Sequence, residues 1–550
     1  MAFCAAAYIA LMLAILLKLD PAFFYPRIET DQLLYLLKAK ALVETGSTQA
    51  SIAVNTPPFS YAAMPGVIRA PFMILFSEFD HQLRAMQILN VIIVTLTAIM
   101  GAYMLSWALP QRAHALAVGF PFLFVLLSPD WLANVFVPLA DAPYAMLTLA
   151  CLLVSISVLT SPKPVAEQRA AVAGFAALFI TGFMVRFTAP VLFVPIALLA
   201  RGRFRGLTLD RRQKRLLVGI PLALLALLAV INADAIFGKY IGEPFYFVFM
   251  ADKVGMALNL FASALPAQIV PVFNLGYEVM PPTSKLRPEF GTTPRDIAWV
   301  IVGLCISAVL ILGIVRSTRR FFPEIAYLLV ILPVLGVMIP STTRYLMSYQ
   351  PMLWVAFAIG LAHVTRPLRR RVSATQVKAV ALAAAVVVIV GLAMLRSART
   401  ARTASRAAAT SALERPLQYT AEVAETYRGL RNFLETLPPD QSLIVTSGGE
   451  AGRWTVIAHR AHYVPDTTMK AVVSQKDLYS VLSCGTPASC QYFDAWYSLR
   501  EKRLAQYGRF DYRKVFETST GSARATVYRI TSSAPAGGQS AQSASGLTAR

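Results

Sequence analysis

Apolar runs close to or longer than the ~20 residues that a helix needs to cross a bilayer recur from the first residue of this chain to about position 395. That feature decides the fold class before any motif is read. Composition agrees with it: 56% of the 550 residues are hydrophobic and 15% are charged, and the mean hydropathy is +0.57. The expectation is an all-α polytopic membrane protein with spans at 1–19, 87–107, 115–130, 139–160, 170–184, 187–200, 216–237, 297–315, 322–340, 345–364 and 379–395, about 11 transmembrane helices. The first span, MAFCAAAYIALMLAILLKL, has no basic residues ahead of it, and no small-residue cleavage site follows before Asp20. It therefore reads as a retained helix rather than a removed signal, and the missing basic residues point to a start further upstream.

Loop charge sets the orientation. Loops 108–114, 161–169, 201–215, 316–321 and 365–378 carry Arg112, Lys163, Arg169, a dense run from Arg201 to Arg215, Arg316, Arg319, Arg320, Arg366, Arg369, Arg370, Arg371 and Lys378, opposed only by Glu167 and Asp210. Loops 20–86 and 238–296 are nearly balanced. The positive-inside bias puts the first set in the cytoplasm and the second outside. The same bias accounts for the net charge of +22, and without an interleaved basic and aromatic face a nucleic-acid partner is not expected. Residues 170–200 read as a hairpin turning at MVRFTAP. A single span would leave Arg186 near mid-bilayer, at a cost of about 2.5–3.5 kcal/mol.

An odd number of spans with the N-terminus inside places the C-terminal segment outside. The domain reading is 1–396 transmembrane, 397–415 linker (within RSARTARTASRAAATSALER), 416–531 a small outer, periplasmic α/β domain, and 532–550 a disordered tail. Val423, Tyr427, Leu430, Leu434 and Leu437 recur at helical spacing, and SLIVTS, DYRKVFETS and ATVYRIT are short strand-like runs. A disulfide between Cys484 and Cys490 would suit an oxidising outer compartment.

There is no Gly-rich dinucleotide or Walker motif, no H-E-x-x-H and no D-x-D. No cofactor is expected, and a divalent metal remains an open requirement. Chemistry has to come from polar residues at the outer rim. Glu29 and Asp31, in RIETDQ, are placed where a carboxylate can take a proton from an acceptor hydroxyl, or they are two solvated loop acids. Asp141, in VPLADAPYAML, is a rim carboxylate or the N-cap of the next span. Arg186 and Arg344 fall at outer helix ends, where a guanidinium fork matches phosphate oxygens or snorkels to lipid headgroups. The same pair of readings applies to Arg69 and Arg84.

ETDQLLYLLKAKALVETG, followed by NTPPFSYAAMPGVIRAPFMILF and LRAMQILNVIIVTL, resembles the opening of the GT-C glycosyltransferases, in particular the protein O-mannosyltransferase and lipid A aminoarabinose transferase families. ADAPYAML, MVRFTAP and TRYLMSYQPMLWVAFAIGLA are similar to their later outer-face elements. The likeness is one of pattern and order over roughly the first 365 residues. It implies a sugar donor carried on a polyprenyl phosphate, transfer with inversion to an acceptor outside the membrane, and a first-loop acid that activates the acceptor.

Asp31 matches that acid, and Glu29 assists or replaces it, because Thr30 separates the two where family members carry a more regular pair. Arg69, Arg84, Asp141, Arg186, Arg344 and Tyr345 become the substrate-binding set, with Arg344 and then Arg186 facing the leaving phosphate. The implied partners are the lipid-linked donor, a cell-envelope glycan, lipopolysaccharide or protein acceptor, and membrane lipids, and the implied location is the inner membrane. A polytopic transporter or lipid-linked sugar flippase is the alternative. Internal repeats and midplane polar residues, which would favour it, are not evident.

Overall fold

The computed structural model describes residues 1–27, 30–46, 64–109, 111–137, 140–160, 260–270, 294–317, 346–366, 414–437, 442–444, 478–484, 510–520 and 523–532, with isolated positions elsewhere. These residues divide between Leu417 and Gln418 into two compact units.

The first unit is helical. Helix α1 (Ala2–Lys18) leads through a 3₁₀ helix (Pro21–Arg27) into α2 (Thr30–Thr45), α3 (Met64–Leu75) and α4 (Phe79–Ala108). Then come α5 (His114–Leu127), α6 (Pro129–Phe136), α7 (Asp141–Thr160), a π-helical turn at Leu260–Ala264, α8 (Pro294–Ser317), a 3₁₀ turn at Met347–Tyr349 and α9 (Gln350–Val364). Phe79–Trp107 and Val300–Ser317 are each long and apolar enough to cross a membrane, and α5 with α6 makes a third such unit that bends by 69° at its break. The remaining expected spans are shorter among the described residues or lie outside them.

Two elements differ most from the sequence reading. Helix α4 begins at Phe79 rather than 87, extending well beyond the apolar core. The run 115–130 is not one straight helix, because α5 stops at Ser128 and Pro129 opens α6. Proline at the first helical position needs no N–H partner and suits a new helix start.

Apolar side chains cover both faces of these helices. On α4, Val91, Val94, Ala98 and Leu105 are buried, while Ile88, Ile92 and Leu96 form an exposed row at four-residue spacing. Exposed Ile301, Val302, Leu304, Ile311 and Val315 do the same on α8. Such surfaces are a liability in water and cost nothing against lipid. Inside the unit, α8 and α9 approach so closely that a Cβ at Gly313 would collide with the Ala356 carbonyl, and one at Gly360 with that of Val309. This kind of packing replaces the hydrophobic effect where lipid is the solvent.

The second unit pairs α10 (Glu414–Thr436) with a four-stranded sheet of β1 (Ser442–Ile444), β2 (Leu478–Cys484), β3 (Phe510–Thr520) and β4 (Ala523–Ser532), in the order β1-β2-β4-β3. β1 and β2 are parallel, and the other pairs are antiparallel. Of the five residues at helical spacing, Val423, Tyr427, Leu430 and Leu434 are buried, while Leu437 lies just past the helix and is half-buried. Phe433 stacks on Phe516 at 4.5 Å between ring centroids. A bulge at Val515 interrupts the β3–β4 register, which blunts an edge strand against unwanted pairing. The three strand-like runs appear as β1, β3 and β4, whereas β2 was not anticipated. Cys484 ends β2, and Cys490 lies outside the described residues.

Candidate active site

The sequence-expected polar residues that are described, Asp31, Arg69, Arg84 and Asp141, lie in the first two turns of α2, α3, α4 and α7. The approach starts at the 3₁₀ helix. Tyr25 donates its hydroxyl to Asp80 and packs on Phe79, while Phe24 stacks on Phe136 at 5.3 Å. The segment just before Asp31 is thus anchored on the first turn of α4 and the last of α6. Asp31 lies in the first turn of α2, where the unpaired backbone N–H groups favour a negative charge.

Helix α2 ends at Gly46, whose φ of 72° is the left-handed closure that glycine adopts without strain. The Gly46 N–H returns to the Leu42 carbonyl at 2.9 Å. Helix α3 then packs back on α2 through Gly66, where even a Cβ would lie 2.8 Å from the Cβ of Lys38. One turn on from Gly66, Arg69 is 3% exposed, donates to the Pro65 carbonyl at 2.5 Å and sits 5.5 Å from the centroid of the Tyr35 ring. Burial pushes the Arg69 guanidinium down to about 10, with Tyr35 acting in the opposite sense, so it stays a cation at neutral pH. An aromatic face is the right lining for a cation removed from water.

A second polar row, Arg84, Gln87 and Asn90, occupies one face of α4 at three-residue spacing. Arg84 donates to the Leu19 carbonyl at 2.5 Å and to Gln87 at 3.0 Å; Gln87 donates to the Phe136 carbonyl at 2.9 Å and Asn90 to that of Val137 at 3.4 Å. The acceptors are carbonyls at or just past the C-termini of α1 and α6, which have no intrahelical donor. Arg84 is therefore engaged with the end of α1.

Asp141 is fully buried. The Ala140 carbonyl receives the first helical bond, from the Tyr144 N–H at 3.0 Å, which places Asp141 at the first helical position and not at the cap. The capping acceptor comes from the previous helix: Asn134 Oδ1 takes the Ala142 N–H at 3.0 Å. Asn134 Nδ2 meanwhile donates to the Asp130 carbonyl at 2.9 Å and points at Met347 Sδ, 3.6 Å away. Met347 opens the 3₁₀ turn that follows Arg344 and Tyr345 in sequence, with Leu346 between. Gln350 locks that turn in place. It accepts from Trp131 Nε1 and donates to Gln268 Oε1 at 3.0 Å, and Trp354 Nε1 reaches the Gln268 carbonyl at 2.8 Å.

Of the residues expected from sequence, Arg69, Arg84 and Asp141 are described with their side chains, and Asp31 by its place in α2. Glu29, Arg186, Arg344 and Tyr345 lie outside the described residues. Tyr35, Gln87, Asn90, Asn134, Gln268 and Gln350 were not singled out. Their signal was a neutral polar side chain inside or beside an apolar run. Among the described residues no group of three or more His, Cys, Asp or Glu is arranged to hold a metal.

No family model matches the chain and no curated protein sequence matches it. Solved structures to which it is similar include ArnT from Cupriavidus metallidurans bound to undecaprenyl phosphate, at 14% identity over 97% of this chain and 99% of that one, with a TM-score of 0.47. Another is the archaeal oligosaccharyltransferase AglB from Archaeoglobus fulgidus in complex with an inhibitory peptide and a dolichol-phosphate, at 13% identity over 85% of this chain and 69% of that one, with a TM-score of 0.45. At such identities and TM-scores, activity is to be inferred from this chain's own residues.

Proposed function

We propose that the chain transfers a sugar from a polyprenyl-phosphate donor to an acceptor hydroxyl or amine outside the membrane, with inversion at the anomeric carbon. The observation that carries this reading is the α2–α3 pair. An acidic first turn, a helix closed by a left-handed glycine and a buried arginine on an aromatic ring stand in the order of the first outer loop of GT-C enzymes.

In the reaction the acceptor attacks the anomeric carbon while the bond to the phosphate oxygen breaks. Asp31 takes the acceptor's proton, with Glu29 assisting or replacing it, and the polyprenyl phosphate leaves with a growing negative charge. Arginine stabilises that charge without a nucleotide-binding metal. Arg344 is assigned this role first and Arg186 second, with Arg69, Asp141 and Tyr345 binding donor or acceptor. Arg84 is assigned a supporting role, since its described bonds run to Leu19 and Gln87. The location proposed is the inner membrane, with residues 416–531 as a periplasmic domain.

The test is to incubate purified protein with a panel of polyprenyl-phosphate sugars and candidate acceptors and to measure released lipid phosphate. Asp31→Asn should lower turnover about 10²–10⁴-fold with donor binding retained. Near-normal transfer by the Asp31→Asn, Glu29→Gln double variant would overturn the catalytic assignment. Lipid movement without sugar transfer would support the flippase reading instead.

A further inference from the structure

The connection between α6 and α7 carries Asp141, and side-chain amides from two helices bond it at both ends. Gln87 and Asn90 of α4 donate to the carbonyls of Phe136 and Val137, which α6 leaves unpaired at its C-terminus. Asn134 reaches forward from α6 to accept the Ala142 N–H, one of the orphan donors at the start of α7. All three amides are buried: Gln87 is 0% exposed, Asn90 3% and Asn134 1%. Four residues, 138 to 141, separate the Val137 anchor from the Ala142 anchor, so Asp141 directly precedes a bonded backbone N–H.

Asn134 also faces Met347 in the turn that follows Arg344 and Tyr345. It is in polar contact both with the Asp141 connection and with the 347–349 turn. Hydrogen bonds made by a buried amide have no competing water, so their geometry is retained.

We propose that Gln87, Asn90 and Asn134 form an amide clamp that positions Asp141, and that through Asn134 it sets the spacing between Asp141 and the segment after Arg344. The functional half of this proposal rests on the glycosyl-transfer reading, and the structural half does not. Asn134 is a positioning residue. It acts through Asp141 and the Met347 turn, and makes no claim on the substrate itself.

The test uses the full chain in lipid nanodiscs, with Asn134→Leu, which keeps the shape and removes the amide, and Asn134→Asp, which keeps an oxygen for the Ala142 N–H. Hydrogen exchange is followed over 137–144, alongside kcat and KM for a polyprenyl-phosphate sugar. Asn134→Leu should exchange faster over 137–144 than wild type while other helices keep their protection. Its kcat should fall about 10²-fold, the scale expected when a reacting group is misplaced by roughly 1 Å, with a smaller change in donor KM. Asn134→Asp should restore slow exchange at Ala142.

Should Asn134→Leu fail to insert, the Gln87→Met, Asn90→Leu pair reads the same segment from the other end. Wild-type exchange over 137–144 in every variant that folds would overturn the clamp. Faster exchange with unchanged kcat in an active protein would overturn its positioning role. A wild-type chain that transfers no sugar would instead count against the glycosyl-transfer reading, while the exchange comparison still decides the clamp.

Discussion

Replacing Gly66 with alanine should separate activity from stability. A Cβ at position 66 would stand 2.8 Å from Lys38 Cβ and 3.2 Å from the Ala39 nitrogen, whereas carbon atoms prefer about 3.5–4.0 Å. Neither neighbour can rotate away, since both are fixed to the α2 backbone, so α2 and α3 must part locally by about 0.7 Å. Overpacking of this kind costs about 1–3 kcal/mol. Alanine recovers about 1 kcal/mol of helix propensity relative to glycine, so the thermal midpoint should move by only a few degrees. Geometry is less forgiving.

The Arg69–Tyr35 separation is already 5.5 Å, near the ~6 Å reach of such a contact, and Asp31 rides on the displaced helix. Transfer activity should therefore fall about ten- to a hundredfold. The control is Gly119→Ala in α5, where a Cβ meets nothing within 4 Å and helix propensity is all that changes. Lipid-phosphate release and thermal unfolding in detergent would be measured for both. A fully active Gly66→Ala, or an equal loss in Gly119→Ala, would refute the view that the α2–α3 spacing matters for catalysis.

Other outcomes follow from the same structure. In Arg344→Lys the charge stays and the fork is lost, so kcat/KM should drop roughly ten- to a hundredfold, the equivalent of about 1.5–3 kcal/mol for a charged hydrogen bond; unchanged donor use by Arg344→Ala would make it a lipid anchor. With Asp31 as the base, turnover should rise with pH as the carboxylate loses its proton and then level off, and Asp31→Asn should lack the rise; an identical pH profile in that variant would rule it out. A cysteine probe in 201–215 should react only from the cytoplasm and one near Ser442 only from outside, and labelling from the same side would remove the outer-domain proposal. Leu430→Ala, fully buried in α10, should destabilise the second unit by about 2–5 kcal/mol in chemical unfolding, and a loss below 1 kcal/mol would mean that α10 does not form its core.

What was readable in the sequence was local. The face of α10 followed from apolar spacing because a helix repeats every 3.6 residues. β2, LYSVLSC, was missed because a short apolar strand carries little signal of its own, and its partners are β1 in parallel and β4 in antiparallel pairing. Hydropathy merged α5 with α6 because it sums apolarity and does not sense backbone direction. Ser128–Pro129 was the available sign of a break. Polar partnerships were the least visible. Trp131 and Gln350 meet across 219 positions, and Gln268 and Gln350 across 82, and no periodicity encodes such pairs.

The chemistry of those partnerships has a physical logic. Carbonyls and N–H groups at helix ends in a low-dielectric interior must be satisfied, and an ion used for that purpose carries a large desolvation penalty. A carboxamide has both a donor and an acceptor and no net charge, so it meets the same need at far lower cost. In the first unit Gln87, Asn90, Asn134, Gln268 and Gln350 do this work. Four ionisable groups expected from the sequence stand in particular places: Asp31 in a helix first turn, Asp141 at the first position of α7, Arg69 against an aromatic ring, and Arg84 across the end of α1. If structure is held by amides, then replacing an amide should loosen a segment without changing the charge of the site. Replacing Asp31 or Asp141 should change the charge while the amide bonds persist. Exchange rates over 137–144 and the pH profile of transfer therefore report on different residues. A neutral variant such as Asn134→Leu that shifted only the pH profile, with exchange unchanged, would contradict this division.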